Sequence, residues 1–189
     1  MDGRIAPACR GGSFLGLVLL SIFALGAKSF AAEFSQFARW TGPAPAFALE
    51  DSAGAKRRLE PGPDGIVIVH FFATWCEPCR EELPALSHMA RQAGPSVRVI
   101  AISVAEPDMR VRRFVSTTDI DFPILLDRDR ATARAWRVSV LPTSFVLDGR
   151  LAPHLVAERS VDWDGVAPDE LARTINTSAF TQHTGRKQQ

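Results

Sequence analysis

The sequence predicts one α/β domain, in which a mixed central sheet carries helices on both faces, preceded by an N-terminal targeting segment. Strand-like and helix-like segments alternate along residues 66–175 in the order β-α-β-α-β-α-β-β-α, which indicates this architecture. The composition is that of a globular protein, with 46% hydrophobic and 23% charged residues in 189. The net charge of +1 offers no electrostatic basis for binding nucleic acid.

The N-terminus has the pattern of an export signal. An unbroken run of apolar or small residues from Phe14 to Ala27 follows a short, weakly basic start. A signal-peptide core needs roughly 7–15 such residues, whereas a spanning helix needs about 20. Ser29 and Ala31 fit a cleavage site, but residues 14–32 would also span a membrane if Lys28 reached the interface. We therefore expect residues 1–31 to be a signal peptide or a membrane anchor, and the protein to be periplasmic.

The first elements of the domain follow a lead-in linker at residues 32–42. Residues 33–64 carry few long apolar runs and contain many Pro and Gly residues, and we expect one or two short strands there, such as residues 46–49. The run Ile66 to Phe72 predicts a strand buried on both faces. A helix is expected from Glu77 to about Ala93, where Gly94 and Pro95 end it, followed by a strand from Val97 to Val104.

The remaining elements complete the domain, which we place at residues 43–176. The pattern predicts a helix at 108–118, a buried strand at 122–126 and a short helix near 129–136. Asp148-Gly149 predicts a two-residue turn joining strands at 143–147 and 151–156. Pro168 opens a last helix, and residues 177–189 form a polar tail that we expect to be flexible.

The residues that carry chemistry are Cys76 and Cys79, in the segment Trp75-Cys76-Glu77-Pro78-Cys79. Two thiols three residues apart on the first turn of a helix can close a disulfide. Cys76 falls at the helix N-terminus, where free amides and the macrodipole favour an anion, so it is the expected nucleophile. Cys79 lies on the apolar stripe and is the expected resolving thiol. Removal of the signal segment would leave these two cysteines alone in the chain.

A metal site is the competing interpretation of this pair. A CxxC pair supplies two of four zinc ligands, and His88 lies on a different face of the predicted helix from Cys79, so we expect no structural metal. Reversible Cu(I) binding by the dithiol remains an alternative, because soft thiolates suit that ion.

At two segments, IVIVHFFATWCEPCREELPAL and VSVLPTSFVLDGRL, the sequence resembles the thioredoxin superfamily, and within it the exported TlpA/ResA-like thiol–disulfide oxidoreductases. The resemblance covers roughly residues 43–175. It implies a thioredoxin fold, Cys76 as nucleophile, Cys79 as resolving thiol and a cis peptide at Pro142 beside the disulfide. Trp75, the backbone of Leu141 and Pro142 would then contact the substrate.

Two further polar residues are candidates near the pair. Glu82 lies three residues after Cys79, on the same side of the helix, and could take the proton from Cys79 if its burial raises its pKa. An exposed surface carboxylate is the alternative, and the family pattern favours the first. His70 lies in the middle of a strand, where thioredoxin has a buried aspartate. It is either a proton relay or a satisfied core residue, and we favour the second.

These observations predict an exported thiol–disulfide oxidoreductase that works as a reductase of protein disulfides. The only redox group it needs is the Cys76–Cys79 disulfide, with no other cofactor. Its expected partners are a disulfide-containing protein and a membrane electron donor that reduces it again. The alternatives are an oxidase or isomerase in oxidative folding, or a Cu(I)-handling or interaction module on the same scaffold.

Overall fold

The computed structural model describes residues 36–62 and 65–175. The strands are β1 (Ala38–Arg39), β2 (Ala48–Glu50), β3 (Lys56–Arg58), β4 (Ile66–Phe72), β5 (Val97–Val104), β6 (Ile124–Asp127), β7 (Thr143–Asp148) and β8 (Pro153–Ala157). The helices are α1 (Glu77–Ala93), α2 (Asp108–Val115), α3 (Ala131–Ala135) and α4 (residues 168–175). The expected targeting segment at 1–31 and tail at 177–189 lie outside these residues. No helix in the described part is long and apolar enough to cross a membrane.

The main sheet has six strands in the order β1-β8-β7-β4-β5-β6. Strands β4, β5 and β6 run parallel to one another, whereas β7 is antiparallel to β4 and β8 is antiparallel to β7. The predicted mixed sheet is therefore confirmed. Strand β1 lies within the segment predicted to be a linker, yet it pairs with β8 at the sheet edge. Strands β2 and β3 form a separate two-stranded sheet.

The central strand β4 divides its side chains between two cores, because successive residues of a strand point to opposite faces. On one face, Ile66 and Ile68 pack with α1 and α4, and Phe72 packs with α1 and α2. On the other face, Val67, Val69 and Phe71 pack around Trp136, which follows α3. Helical segments therefore cover both faces of the sheet, as predicted.

Helix α1 begins directly after the loop that follows β4. Cys76 is its N-cap residue, Pro78 occupies the first turn, and Glu77 adds a negative charge near the positive end of the helix dipole. Gly94, with φ of 57°, ends the helix in the left-handed region that favours glycine. The buried side of α1 carries Cys79, Glu82, Leu83, Leu86, Ser87 and Met89.

Two predicted boundaries were wrong. The connection between β7 and β8 is longer than the expected two-residue turn, because the Asp148 carboxylate accepts hydrogen bonds from the amides of Arg150 and Ala152, both at 2.9 Å. Helix α2 ends at Val115 rather than near Thr118. The Thr118 hydroxyl donates to the Phe114 carbonyl at 2.9 Å, and such local side-chain bonds compete with helix continuation.

Candidate active site

Cys76 and Cys79 form a disulfide at the N-terminus of α1, with an S–S distance of 2.03 Å. Cys76 retains 6% exposure, whereas Cys79 is fully buried. The backbone amide of Cys76 donates to the Ala73 carbonyl at 3.1 Å, which closes the turn between β4 and α1. Cys76, nearer the helix end, is thus the more exposed residue of the pair. Trp75, directly before it, is 66% exposed.

The segment before β7 packs against this pair. Leu141 contacts the apolar cluster that contains both cysteines, and the Leu141–Pro142 peptide bond is cis, as expected. Pro142 is buried, while Val140 beside Leu141 is 46% exposed. The disulfide therefore has exposed apolar side chains, Trp75 and Val140, on the two segments next to it. Such a surface suits contact with a polypeptide.

Glu82 is buried on the next turn of α1, with 3% exposure. One carboxylate oxygen accepts a hydrogen bond from the amide of Val161, in the loop before α4. Burial raises the pKa of Glu82 to about 7, and the Val161 amide and the Ser160 and Trp163 side chains offset only part of this effect. The carboxyl is therefore close to half ionised at neutral pH.

His70 faces Glu82 from the central strand. Its Nδ1 lies 2.9 Å from the Ser144 hydroxyl, and its ring stacks on Phe72 with 6.2 Å between ring centroids. Its Nε2 lies 3.7 Å from Oε2 of Glu82, and neither atom has a hydrogen-bond partner among the described residues. Full burial lowers the pKa of His70 to about 3, so the ring is neutral at physiological pH. His70 and Glu82 therefore form a buried pair that the sequence did not predict.

The period of two along β4 placed His70 on the same face as Phe72, but nothing in the sequence identified the helix opposite that face. The indole N–H of Trp163 is a third buried polar group in this region without a standard hydrogen bond among the described residues. Its side chain still favours ionised Glu82 weakly, because a donor near a carboxylate stabilises the charge even at poor geometry.

A second buried carboxylate, which sequence reasoning missed, holds the loop before Cys76. Glu106 follows β5 and accepts hydrogen bonds from the amide and hydroxyl of Thr74, at 2.8 and 2.5 Å. It also accepts one from the Ser103 hydroxyl at 2.8 Å. The signal for it was an acidic residue at the carboxyl end of a buried parallel strand, next to the strand that leads to Cys76.

The described residues contain no preformed metal site. Among residues 36–62 and 65–175, no group of three or more His, Cys, Asp or Glu side chains could hold a metal ion.

Comparison with known proteins identifies the relatives of this chain. Residues 41–152 match the AhpC/TSA family. The thiol–disulfide oxidoreductase ResA of Bacillus subtilis (strain 168) is 33% identical over 136 residues, which are 70% of this chain and 76% of that protein.

Solved structures share the fold. A putative thiol:disulfide interchange protein DsbE from Chlorobium tepidum aligns with a TM-score of 0.62 and 24% identity, over 69% of this chain and 93% of that one. A secreted thiol–disulfide isomerase from Corynebacterium glutamicum also has a TM-score of 0.62, with 23% identity over 76% of this chain and 95% of that one. These likenesses confirm the expected thioredoxin fold.

Proposed function

The chain belongs to the AhpC/TSA family and is a thiol–disulfide oxidoreductase, and we propose that it reduces protein disulfides outside the cytoplasm. One observation carries the proposal: the Cys76–Cys79 disulfide lies at a helix N-terminus, where Cys76 keeps 6% exposure and Cys79 has none. That arrangement separates an attacking thiol from a resolving thiol. The exposed apolar side chains of Trp75 and Val140 support a polypeptide substrate.

The reaction begins with the reduced dithiol. The Cys76 thiolate, stabilised by the helix N-terminus, attacks one sulfur of the substrate disulfide. A bond forms between Cys76 and that sulfur, and the other substrate sulfur leaves as a thiolate. Cys79 then attacks the Cys76 sulfur, the mixed disulfide breaks, and the second substrate sulfur leaves. Two electrons and two protons pass from the protein to the substrate.

Glu82 supplies the base for the second step. Cys79 is buried as a thiol and must lose its proton to become a nucleophile, and Glu82 lies one helical turn away with a pKa of about 7. A base with a pKa near the working pH is the most effective proton acceptor. The Val161 amide holds one carboxylate oxygen, so the oxygen that faces His70 remains available for the proton.

His70 positions the Glu82 carboxyl and offers a hydrogen-bond acceptor to its protonated form. When Glu82 is protonated, its hydroxyl can donate to the neutral Nε2 of His70 after a small shift from 3.7 Å. The Ser144 hydroxyl, on the other ring nitrogen, holds the imidazole in place. His70 is therefore a positioning residue that acts through Glu82, rather than only a satisfied core residue.

The location and the direction of electron flow belong to the same proposal. The apolar run at residues 14–27 has the length of a signal-peptide core, and the isomerase from C. glutamicum is described as secreted. Glu77 places a negative charge next to Cys76, which opposes thiolate formation and favours the oxidised form. We therefore propose a midpoint potential on the order of −200 mV or lower, and a membrane electron donor that restores the dithiol. No cofactor besides the disulfide is needed.

A redox titration tests the direction. The oxidised protein is equilibrated with defined ratios of oxidised and reduced dithiothreitol or glutathione, and the thiol content is read by alkylation and mass spectrometry. We expect a midpoint near −200 mV or lower, and reduction of insulin disulfides when a reductant recycles the dithiol. A midpoint close to that of strong oxidants, about −120 mV, would contradict the reductase assignment.

A further inference from the structure

We propose that a cleft beside the disulfide binds acidic residues that flank the target cysteine of the substrate protein. This inference rests on the proposed reduction of protein disulfides and adds the substrate class. The cleft has a volume of about 520 Å³, and its walls include Trp75 and three arginines, Arg80, Arg110 and Arg113. We call it the arginine cleft.

The arginine cleft adjoins the redox pair. Trp75 directly precedes Cys76, and Arg80 directly follows Cys79 on the first turns of α1. Arg110 and Arg113 belong to α2, which packs on the same face of the sheet and forms the opposite wall. A polypeptide that presents a disulfide to Cys76 therefore passes next to these three guanidinium groups.

The three arginines have no counter-charge within the described residues. None of their side chains forms a hydrogen bond or an ion pair there, whereas four other arginines each lie within 4 Å of a carboxylate. Those pairs are Arg57–Asp51 at 2.9 Å, Arg91–Asp119 at 3.1 Å, Arg112–Asp108 at 3.8 Å and Arg128–Asp108 at 2.7 Å.

No described acidic residue lines the cleft. Glu77 and Glu81 are exposed on α1 but are not part of its walls, and Asp108 at the start of α2 is engaged by Arg112 and Arg128. The buried carboxylate of Glu106 lies behind Thr74 and is occupied by three hydrogen bonds. Positive charge is therefore concentrated and unpaired at this position.

The chemistry of the cleft selects a carboxylate-bearing segment. Guanidinium groups bind carboxylates through paired N–H donors, and the exposed Trp75 ring offers an apolar surface for the adjoining chain. Each exposed ion pair contributes little, but two or three formed together favour an acidic substrate by about tenfold. The attraction also accelerates encounter and weakens with added salt.

The test uses short peptides closed by one disulfide, with Asp, Ser or Lys residues flanking the cysteines. Pre-reduced protein is mixed with each peptide, and the second-order rate constant of reduction is measured at about 20 mM and about 300 mM NaCl. Each rate constant is divided by that for dithiothreitol with the same peptide, since flanking charges also change the reactivity of the peptide itself. Protein with Arg110→Ala and Arg113→Ala is compared with a control carrying Arg58→Ala and Arg150→Ala, which loses the same charge at exposed positions outside the cleft.

We expect the normalised rate constant for the Asp peptide to exceed that for the Ser peptide about tenfold at low salt, and the Lys peptide to be slowest. High salt and the Arg110/Arg113 variant should remove most of this preference, while the control variant keeps it. Equal rates for the three peptides would overturn the inference, as would an equal loss in the control, which would reflect net charge alone. Failure to reduce any of the peptides would instead contradict the proposed function.

Discussion

Replacing either member of the buried Glu82–His70 pair alone should expose a pH dependence of stability that the intact pair cancels. In an unfolded chain the pKa values are 4.5 for glutamate and 6.5 for histidine, so between these values the pair carries one proton, on His70. In the folded protein burial raises the pKa of Glu82 to about 7 and lowers that of His70 to about 3. The folded pair also carries one proton, on Glu82, and its contribution to stability is flat in this window.

Glu82→Gln removes the carboxyl and leaves His70. Between pH 3 and 6.5 the unfolded state then binds one more proton than the folded state, so stability rises with pH. One proton corresponds to about 1.4 kcal/mol per pH unit, or about 2.7 kcal/mol between pH 4.5 and 6.5. The glutamine amide oxygen can still accept the hydrogen bond from Val161.

His70→Asn has the opposite sign, because Glu82 remains. Its folded state keeps a proton that the unfolded state loses above pH 4.5, so its stability relative to the wild-type protein falls by about 2.7 kcal/mol between pH 4.5 and 6.5. The asparagine amide retains a polar group toward Ser144. The double variant should again be flat relative to the wild-type protein.

Urea unfolding of the oxidised protein, followed by tryptophan fluorescence at pH values from 4.5 to 6.5, measures these slopes as differences from the wild-type protein. The disulfide stays closed, so neither sulfur titrates. Slopes of opposite sign in the two single variants, with an unchanged m value, are the expected result. If both single variants run parallel to the wild-type curve, the two groups do not share one proton and the pKa argument fails.

Three further predictions concern activity and the loop before the cysteines. In the reduced protein, iodoacetamide at mild pH should label Cys76 well before Cys79, as peptide mass spectrometry would show; equal labelling would contradict the assigned roles. Glu82→Gln should slow substrate reduction by about 10–100-fold near neutrality and remove a rise in the rate near pH 7, whereas an unchanged pH–rate profile would make Glu82 a bystander. Glu106→Gln should lower the free energy of unfolding by about 1–3 kcal/mol, because an amide cannot accept all three hydrogen bonds that the carboxylate takes from Thr74 and Ser103. Urea unfolding that shows no loss would refute this.

Much of the fold follows from local pattern. The uninterrupted apolar run of β4, the stripe of α1 and its stop at Gly94 are all signals that a single segment carries. Three short strands precede β4 in the described residues, where one or two were expected. Strands β1 and β3 were not located because they are only two and three residues long and every residue in them is exposed. Nothing in their hydrophobicity distinguishes them from a loop, and only pairing with a distant partner makes them strands.

The candidate active site likewise contains residues that the sequence could predict and residues that it could not. Cys76 and Cys79 were predictable, since their spacing and their place after a buried strand are local features. The contact of His70 with Glu82 was not, because it depends on which helix covers a given face of the sheet. The same holds for Glu106, whose hydrogen bonds to Thr74 join segments 32 residues apart. Such contacts are set by tertiary packing rather than by periodicity.

The central claim, that Cys76 attacks and Cys79 resolves, is tested most directly by trapping the mixed disulfide. Reduced Cys79→Ser and Cys76→Ser variants are each mixed with a disulfide-closed peptide, and intact mass spectrometry measures the covalent adduct. The account predicts that Cys79→Ser accumulates a one-to-one adduct through Cys76, while Cys76→Ser forms little, because its remaining thiol is buried. An adduct that forms mainly on Cys79 in the Cys76→Ser variant would contradict it.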